Sequence, residues 1–218
     1  MTAPGQGGVV LAAHGTHSEA GQACIEQLRR ALQQRLAEPV RLGWVDVVEP
    51  HVGQLLRPGD LVVPAFLGAG YHVKKDLPEA IGQFPGTTMT AHLGPDPLVL
   101  AALSEHVEQA GGPWPLTLLG WAGSSDEQSR EEARTAARRL AERWQVTVRL
   151  TGASRVQAGV QRGRDEGFAR VGVASYLLAP GFFADKLATA DCEGVAAPIG
   201  AHPLVVDLLA QRVTGHRP

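Results

Sequence analysis

Short apolar runs rich in Val and Leu alternate along the chain with longer segments in which Ala, Arg, Glu and Gln recur at helical spacing. A run of about four to eight apolar residues suits a strand buried on both faces, and the amphipathic segment suits the helix that covers it, so the alternation predicts βαβ units around a parallel sheet. In the first half, strands are predicted near Val9–Ala13, Arg41–Val48, Leu61–Phe66 and Thr87–Ala91. Helices are predicted near Glu19–Ala37, Val73–Gln83 and Pro97–Gln109, the last opening on a proline whose fixed φ suits a first turn, with a short helix over Pro50–Leu56.

After Gly111-Gly112-Pro113 the same order of signals begins again. Leu11-Ala12-Ala13-His14-Gly15-Thr16-His17-Ser18-Glu19 lines up with Leu119-Gly120-Trp121-Ala122-Gly123-Ser124-Ser125-Asp126-Glu127. Phe66 to His72 lines up with Tyr176 to Phe182, and Gly94-Pro95-Asp96-Pro97-Leu98-Val99 with Gly200-Ala201-His202-Pro203-Leu204-Val205. Three matches in order indicate an internal duplication, with two tandem α/β domains over residues 1–112 and 113–218. His14 faces Ala122 in this alignment and His72 faces Phe182, so one copy carries chemistry and the other shapes a wall. In open parallel sheets, ligands bind beyond the carboxyl ends of the strands, and His14 and His72 each follow a predicted strand.

Composition narrows the class. The 218 residues are 44% hydrophobic, 19% charged and 5% aromatic, the profile of a folded chain with one large or two small cores. Twenty Lys and Arg against 22 Asp and Glu leave a net charge of −2, so no global field attracts a nucleic-acid backbone and no nucleic-acid partner is expected. Cys24 and Cys192 lie far apart without a CxxC, which excludes a disulfide framework and fits a reducing compartment. Met1 to Gly8 is small and polar, unlike a signal peptide, and the longest apolar stretch, Leu61 to Gly70, is about half the length of a membrane span. A cytoplasmic protein without membrane contact, monomer or homodimer, is expected.

The candidate chemistry sits in the loops after the strands. In His14–Glu19, Gly15 permits a sharp turn and Ser18 can cap the helix. His14 ends an apolar strand and aims into the crevice, whereas His17 reads as a solvated loop residue. Gly68-Ala69-Gly70-Tyr71-His72-Val73-Lys74-Lys75-Asp76 lacks the third glycine of a dinucleotide loop, and the chain has no GxxxxGK[ST]. Lys74 and Lys75 are two of only three lysines and suit an anionic ligand or a solvated turn equally well. Strand alternation points Asp46 and Glu49 to opposite faces; a carboxylate there can take protons or help hold a metal, and Glu49 before Pro50 equally suits a helix cap. No GxSxG elbow is present, and neither cysteine sits in a nucleophile motif. His51, His92, His106 and His216 read as surface residues, and His202 as intermediate because its repeat partner is Asp96. Two histidines with a nearby carboxylate make an open site, suited to transient metal handling rather than structural zinc.

These residues resemble the sirohydrochlorin chelatases, which include the cobalt- and iron-inserting class II tetrapyrrole chelatases. Ala13-His14-Gly15-Thr16 is similar to the family's strand-end HG[ST] motif, Trp44-Val45-Asp46 through Glu49-Pro50 to its FLE…EP stretch, and Val63 through Pro78, with Leu93-Gly94-Pro95-Asp96-Pro97, to further family segments. The resemblance spans most of residues 9 to 105 and implies two Rossmann-like, chelatase-like halves with a tetrapyrrole in the cleft between them. It implies that His14 and His72 are the metal-binding and catalytic pair, with Asp46, where the family has Glu, as catalytic carboxylate and Glu49 as its alternative. Gly15, Thr16, Tyr71, Lys74, Lys75 and Ser124 are the implied substrate contacts. The implied activity is ATP-independent insertion of Co²⁺ or Fe²⁺, a substrate, into sirohydrochlorin in sirohaem or cobalamin biosynthesis, with no organic cofactor. A non-catalytic tetrapyrrole or metal carrier using the same cleft is the alternative, and an HG-type phosphate-loop protein a weaker one, since no arginine precedes His14-Gly15. Two imidazoles and a carboxylate bind Ni²⁺, Cu²⁺ or Zn²⁺ at least as tightly as Co²⁺ or Fe²⁺, so the ligands do not name the metal.

Overall fold

Two parallel sheets, each flanked by helices, make up the computed structural model, which describes residues 7–216; residues 1–6, most of the Met1–Gly8 segment, and residues 217–218 lie outside the described residues. Strands β1 (Val9–Ala13), β2 (Val40–Trp44), β3 (Leu61–Pro64) and β4 (Thr88–Met89) form one sheet in the order β2-β1-β3-β4. Strands β5 (Leu116–Trp121), β6 (Thr147–Gly152) and β7 (Val171–Ser175) form the other in the order β6-β5-β7, and Val195 bridges Val173 in the place of a fourth strand. The helices are α1 (Glu19–Arg35), α2 (Val52–Leu55), α3 (Leu77–Ile81), α4 (Pro97–Gln109), α5 (Glu127–Trp144), α6 (Val156–Asp165), α7 (Phe182–Ala188) and α8 (Pro203–His216). None is long and apolar enough to cross a membrane among the described residues.

The duplication is visible at the element starts. Ser18 caps α1 by accepting the Gly21 N–H at 3.2 Å, and its repeat partner Asp126 caps α5 by accepting the Ser129 N–H at 2.9 Å. Pro97 and Pro203 both open helices. Several expected boundaries move for local reasons. The strand expected over Arg41–Val48 ends at Trp44: Val45 and Asp46 still donate to the carbonyls of Ala13 and His14, then Val47 takes a φ of 72° that turns the chain away. Leu61–Phe66 stops at Pro64, which has no N–H to extend a ladder. Thr87–Ala91 shrinks to Thr88–Met89, Glu19–Ala37 ends at Arg35, and Pro50–Leu56 narrows to Val52–Leu55.

The helix expected over Val73–Gln83 divides into a π-helical turn, His72–Asp76, followed by α3. Pro78 has no N–H to give to the Lys74 carbonyl, which breaks the α-helical register there, and the Leu77 N–H reaches back five residues to His72 instead.

Period-two alternation explains the layers. Val9, Leu11 and Ala13 of β1 face a large core, whereas Val10 and Ala12 face a smaller one beneath α2 and α3. The large core is common to both sheets and takes in Leu28 of α1, Leu103 of α4, Leu119 of β5, Leu140 of α5 and Leu209 of α8. Within it the last helix of each half crosses over: α4 packs on β7 and α8, and α8 packs on β3 and α1.

Candidate active site

Because β1 and β3 are neighbouring parallel strands, the loops after them open on the same edge. His14 directly follows β1, and Gly15 then turns the chain at a φ of 102°. A Cβ on Gly15 would lie 2.0 Å from the Asp46 carbonyl oxygen, so the close approach of these loops requires glycine. After β3, the loop through Ala65–Tyr71 leads into the π-helical turn that begins at His72. Its wide register sets His72 and Asp76 on one face, with Nδ1 of His72 2.6 Å from Oδ2 of Asp76. Nε2 of His72 in turn lies 3.1 Å from Nε2 of His14, and the two rings meet edge to face with centroids 4.5 Å apart.

The partners assign the tautomers. Nδ1 of His72 donates to the Asp76 carboxylate, and Nδ1 of His14, 3.1 Å from the Gly15 carbonyl oxygen, donates to that oxygen. Both Nε2 lone pairs are then directed into the same small space, where a shared proton or a cation relieves their repulsion. At the roughly 2.1 Å bond of an imidazole nitrogen to a first-row divalent ion, two ligands of one ion stand about 3.0 Å apart at a right angle and about 3.4 Å apart at a tetrahedral angle. The observed 3.1 Å lies between these values. Among the described residues no group of three or more His, Cys, Asp and Glu side chains is arranged to hold a metal ion.

The pair borders a cleft of about 570 Å³ to which both halves contribute. Gly15, Thr16 and Tyr71 line it from the first half, and Trp121, Ser124 and Phe182 from the second. No Asp, Glu, Lys or Arg is among the lining residues. Asp46, Lys74 and Lys75 therefore stand outside the lining. Asp46 is exposed, its Oδ1 accepting the Val47 N–H at 2.8 Å, and Glu49 is exposed beside Gln54. Lys74 grips both carboxylate oxygens of Asp126, at 2.7 and 2.9 Å, and this bond holds the Asp126 carboxyl below the usual carboxylate range. Lys75 lies 3.8 Å from Glu79.

Two carboxylates that hold His72 and its loop stand outside the candidates read from the sequence, Asp76 and Glu132. Asp76 was legible in principle, since it lies four residues after His72 on what reads as a helix. Glu132 had no local signal, because it belongs to α5 of the second half and accepts the Ala69 N–H of the His72 loop at 2.7 Å. His92, expected at the surface, is half-buried with Nε2 3.4 Å from the other Glu132 oxygen. Together with Lys74–Asp126, these contacts tie the loop that carries His72 to the second half. Tyr176, buried in the cleft wall, donates its hydroxyl to the Leu67 carbonyl at 3.3 Å, and burial pushes its phenol pKa up. His17 is exposed, whereas His202 helps to start α8, its Nδ1 accepting the Leu204 N–H and its Nε2 lying 3.1 Å from Glu105.

Comparison with known proteins gives one family. The CbiX family model matches residues 8–110 and again 117–216. Among solved structures, the cobalt complex of the sirohydrochlorin chelatase SirB from Bacillus subtilis subspecies spizizenii is 19% identical with a TM-score of 0.76, the match covering 96% of this chain and 94% of that one. SirB from Bacillus subtilis with Fe³⁺ is 21% identical with a TM-score of 0.74 and the same coverage. CbiX, described as the terminal enzyme for biosynthesis of siroheme in denitrifying bacteria, is 19% identical with a TM-score of 0.61, over 97% of this chain and 100% of that one. At these identities the likeness is one of fold. No curated protein sequence matches the chain.

Proposed function

The chain belongs to the CbiX family, and from that premise we propose that it inserts a divalent metal ion, Co²⁺ or Fe²⁺, into sirohydrochlorin without ATP, in the cytosol, as two chelatase-like halves over residues 1–112 and 113–218. The observation that carries this reading is the convergence of two imidazole Nε2 atoms, 3.1 Å apart, at the edge of a cleft without lining charges. Metal insertion into a free-base tetrapyrrole exchanges two pyrrole N–H protons for one M²⁺, so the site must deliver a cation and accept protons at the same place. Neutral imidazoles do both: each binds the incoming ion through Nε2, and each takes a proton at that atom once the ion has left.

Asp76 is the positioning group in this scheme. By accepting the Nδ1 proton of His72 it fixes the ring's tautomer and orientation, so that the Nε2 lone pair faces the cleft, the arrangement commonly found behind metal-binding histidines. Gly15, Thr16, Tyr71 and Ser124 are the substrate contacts of this reading. Lys74 and Lys75 serve it at the rim, where peripheral carboxylates of the ring can compete with Asp126 and Glu79 for their ammonium groups. Asp46 or Glu49, both exposed near the His14 loop, is the group that passes protons on to water.

The test is an anaerobic absorbance time course of sirohydrochlorin with Co²⁺, and separately with Fe²⁺, in the presence and absence of the protein. A spectral conversion far faster than the protein-free reaction is the expected result. Tight binding of both ligands with no acceleration would instead identify a carrier. A second measurement addresses the positioning group: Asp76→Asn is expected to weaken Co²⁺ binding about 10- to 100-fold, the usual effect of losing a carboxylate behind a metal-binding histidine. Unchanged Co²⁺ affinity in that variant would remove Asp76 from the scheme.

A further inference from the structure

We propose that the half without the histidines supplies the stacking face for the macrocycle: Phe182 and Lys186 of α7 form the surface against which the flat face of a carboxylated tetrapyrrole lies, so that the ring's principal anchor stands on the wall opposite the metal-binding pair. This inference rests on the chelatase reading and assigns its substrate contact to particular side chains.

Large hydrophobic side chains exposed to water are few here, and they are not scattered. Among the described residues they are Val47, Tyr71, Phe182 and Phe183, and the three aromatic ones all line the cleft. Val47 lies beside the loop at Gly15. Exposed apolar surface gathered at one mouth marks a binding surface, because leaving it in water carries a cost that only a ligand offsets. Phe182 is 64% exposed, the most open of the set, and it is held by an edge-to-face contact with Phe183 at 5.3 Å. An aromatic face of this kind suits a flat conjugated ring, which stacks without needing a particular hydrogen-bond pattern.

Charge supplies the second half of the match. Lys186 Nζ lies 5.6 Å from the centre of the Phe182 ring, and Lys186 makes no salt bridge among the described residues, unlike Lys74 and Lys75. The ring face is therefore paired with an uncommitted cation, the complement of a ligand with a π-face at its centre and carboxylates around its edge. Phe182 also occupies the repeat position of His72. The duplication thus presents an imidazole on one wall and an aromatic ring at the equivalent point of the other.

Two titrations separate the roles. Metal-free sirohydrochlorin is titrated anaerobically into the protein while tryptophan emission is followed, since Trp44 and Trp121 line the cleft; Co²⁺ binding is measured separately by calorimetry. Phe182→Ala is expected to weaken sirohydrochlorin binding about tenfold or more, the loss typical of one aromatic stacking partner, with Co²⁺ affinity within about twofold of wild type. Phe182→Trp should bind the ring like wild type, Lys186→Gln should weaken it a few-fold with a smaller salt dependence, and the His14→Ala, His72→Ala double variant should lose Co²⁺ while keeping the ring. Wild-type ring affinity in Phe182→Ala, or a parallel loss of Co²⁺ affinity, would overturn the assignment alone. A wild-type protein that binds Co²⁺ and no sirohydrochlorin would overturn the chelatase reading, and this assignment with it.

Discussion

His14→Ala and His72→Ala are each expected to lower the rate of Co²⁺ insertion by roughly 10²- to 10⁴-fold, because each removes a metal-binding nitrogen and a proton acceptor at once. Neither change should unfold the protein. His14 is exposed, and the His72 side chain is a quarter exposed in a turn whose backbone bonds do not involve its ring. The two Nε2 atoms share one space, so the pair acts as a unit and the double variant should be little slower than the slower single one. The rates are read from the anaerobic absorbance time course, with thermal melts as the control for folding. Near-wild-type rates in both single variants would remove the pair from the reaction, and multiplying losses in the double variant would show that the rings act separately.

The largest expected effect on stability lies far from the histidines. Trp114 is fully buried at the start of the second half, its backbone N–H donating to Thr117 Oγ1, and its indole lies against places where β7 and the neighbouring loops offer only glycine. A Cβ on Gly172 would come within 2.1 Å of that ring, and those on Gly112 and Gly194 within 2.9 and 2.7 Å. The backbone at these three glycines is thus shaped to fit the indole, and Trp114→Ala would leave a cavity that they have no side chains to fill. A loss of about 3–5 kcal/mol is expected, measured as a shift of the urea unfolding midpoint at constant slope. Gly172→Val should be damaging for the opposite reason, since it drives a side chain into an indole that has no room to move. A Trp114→Ala loss under about 1 kcal/mol would mean that the surrounding glycines close in after all.

Much of the fold is legible in the sequence because burial on both faces of a strand writes itself as an apolar run. Val9–Ala13 and Pro97–Gln109 coincide with the observed elements to the residue, and the repeat pairs Ser18 with Asp126 and Pro97 with Pro203, at which α1 and α5, and α4 and α8, begin. Boundaries slipped where a single residue overrides a pattern: Val47 by its left-handed φ, Pro64 and Pro78 by their missing N–H groups. The meeting of His14 and His72 followed from both lying after strands, although no pattern could say that β1 and β3 would be neighbours. Lys74 illustrates the converse. Its position beside His72 suits an anionic ligand or a solvated turn, but its partner Asp126 comes from the other half, 52 positions away, and such a pairing leaves no trace in local spacing. Glu132 and the crossing of α4 and α8 were illegible for the same reason.

That crossing changes how the protein responds to dilution. Each half lends its last helix to the other, α4 to β7 and α8 to β3 and α1, so neither half encloses all of its apolar surface alone: the largest core is closed only by both. Two separate polypeptides built this way would obey mass action, with the fraction of complete clefts falling as the solution is thinned. Joined in one chain, each half meets its complement at an effective concentration set by the short connection between Gln109 and Leu116, whatever the concentration of the protein itself. A complete cleft is therefore available in every folded molecule, even for a chain made in only a few copies.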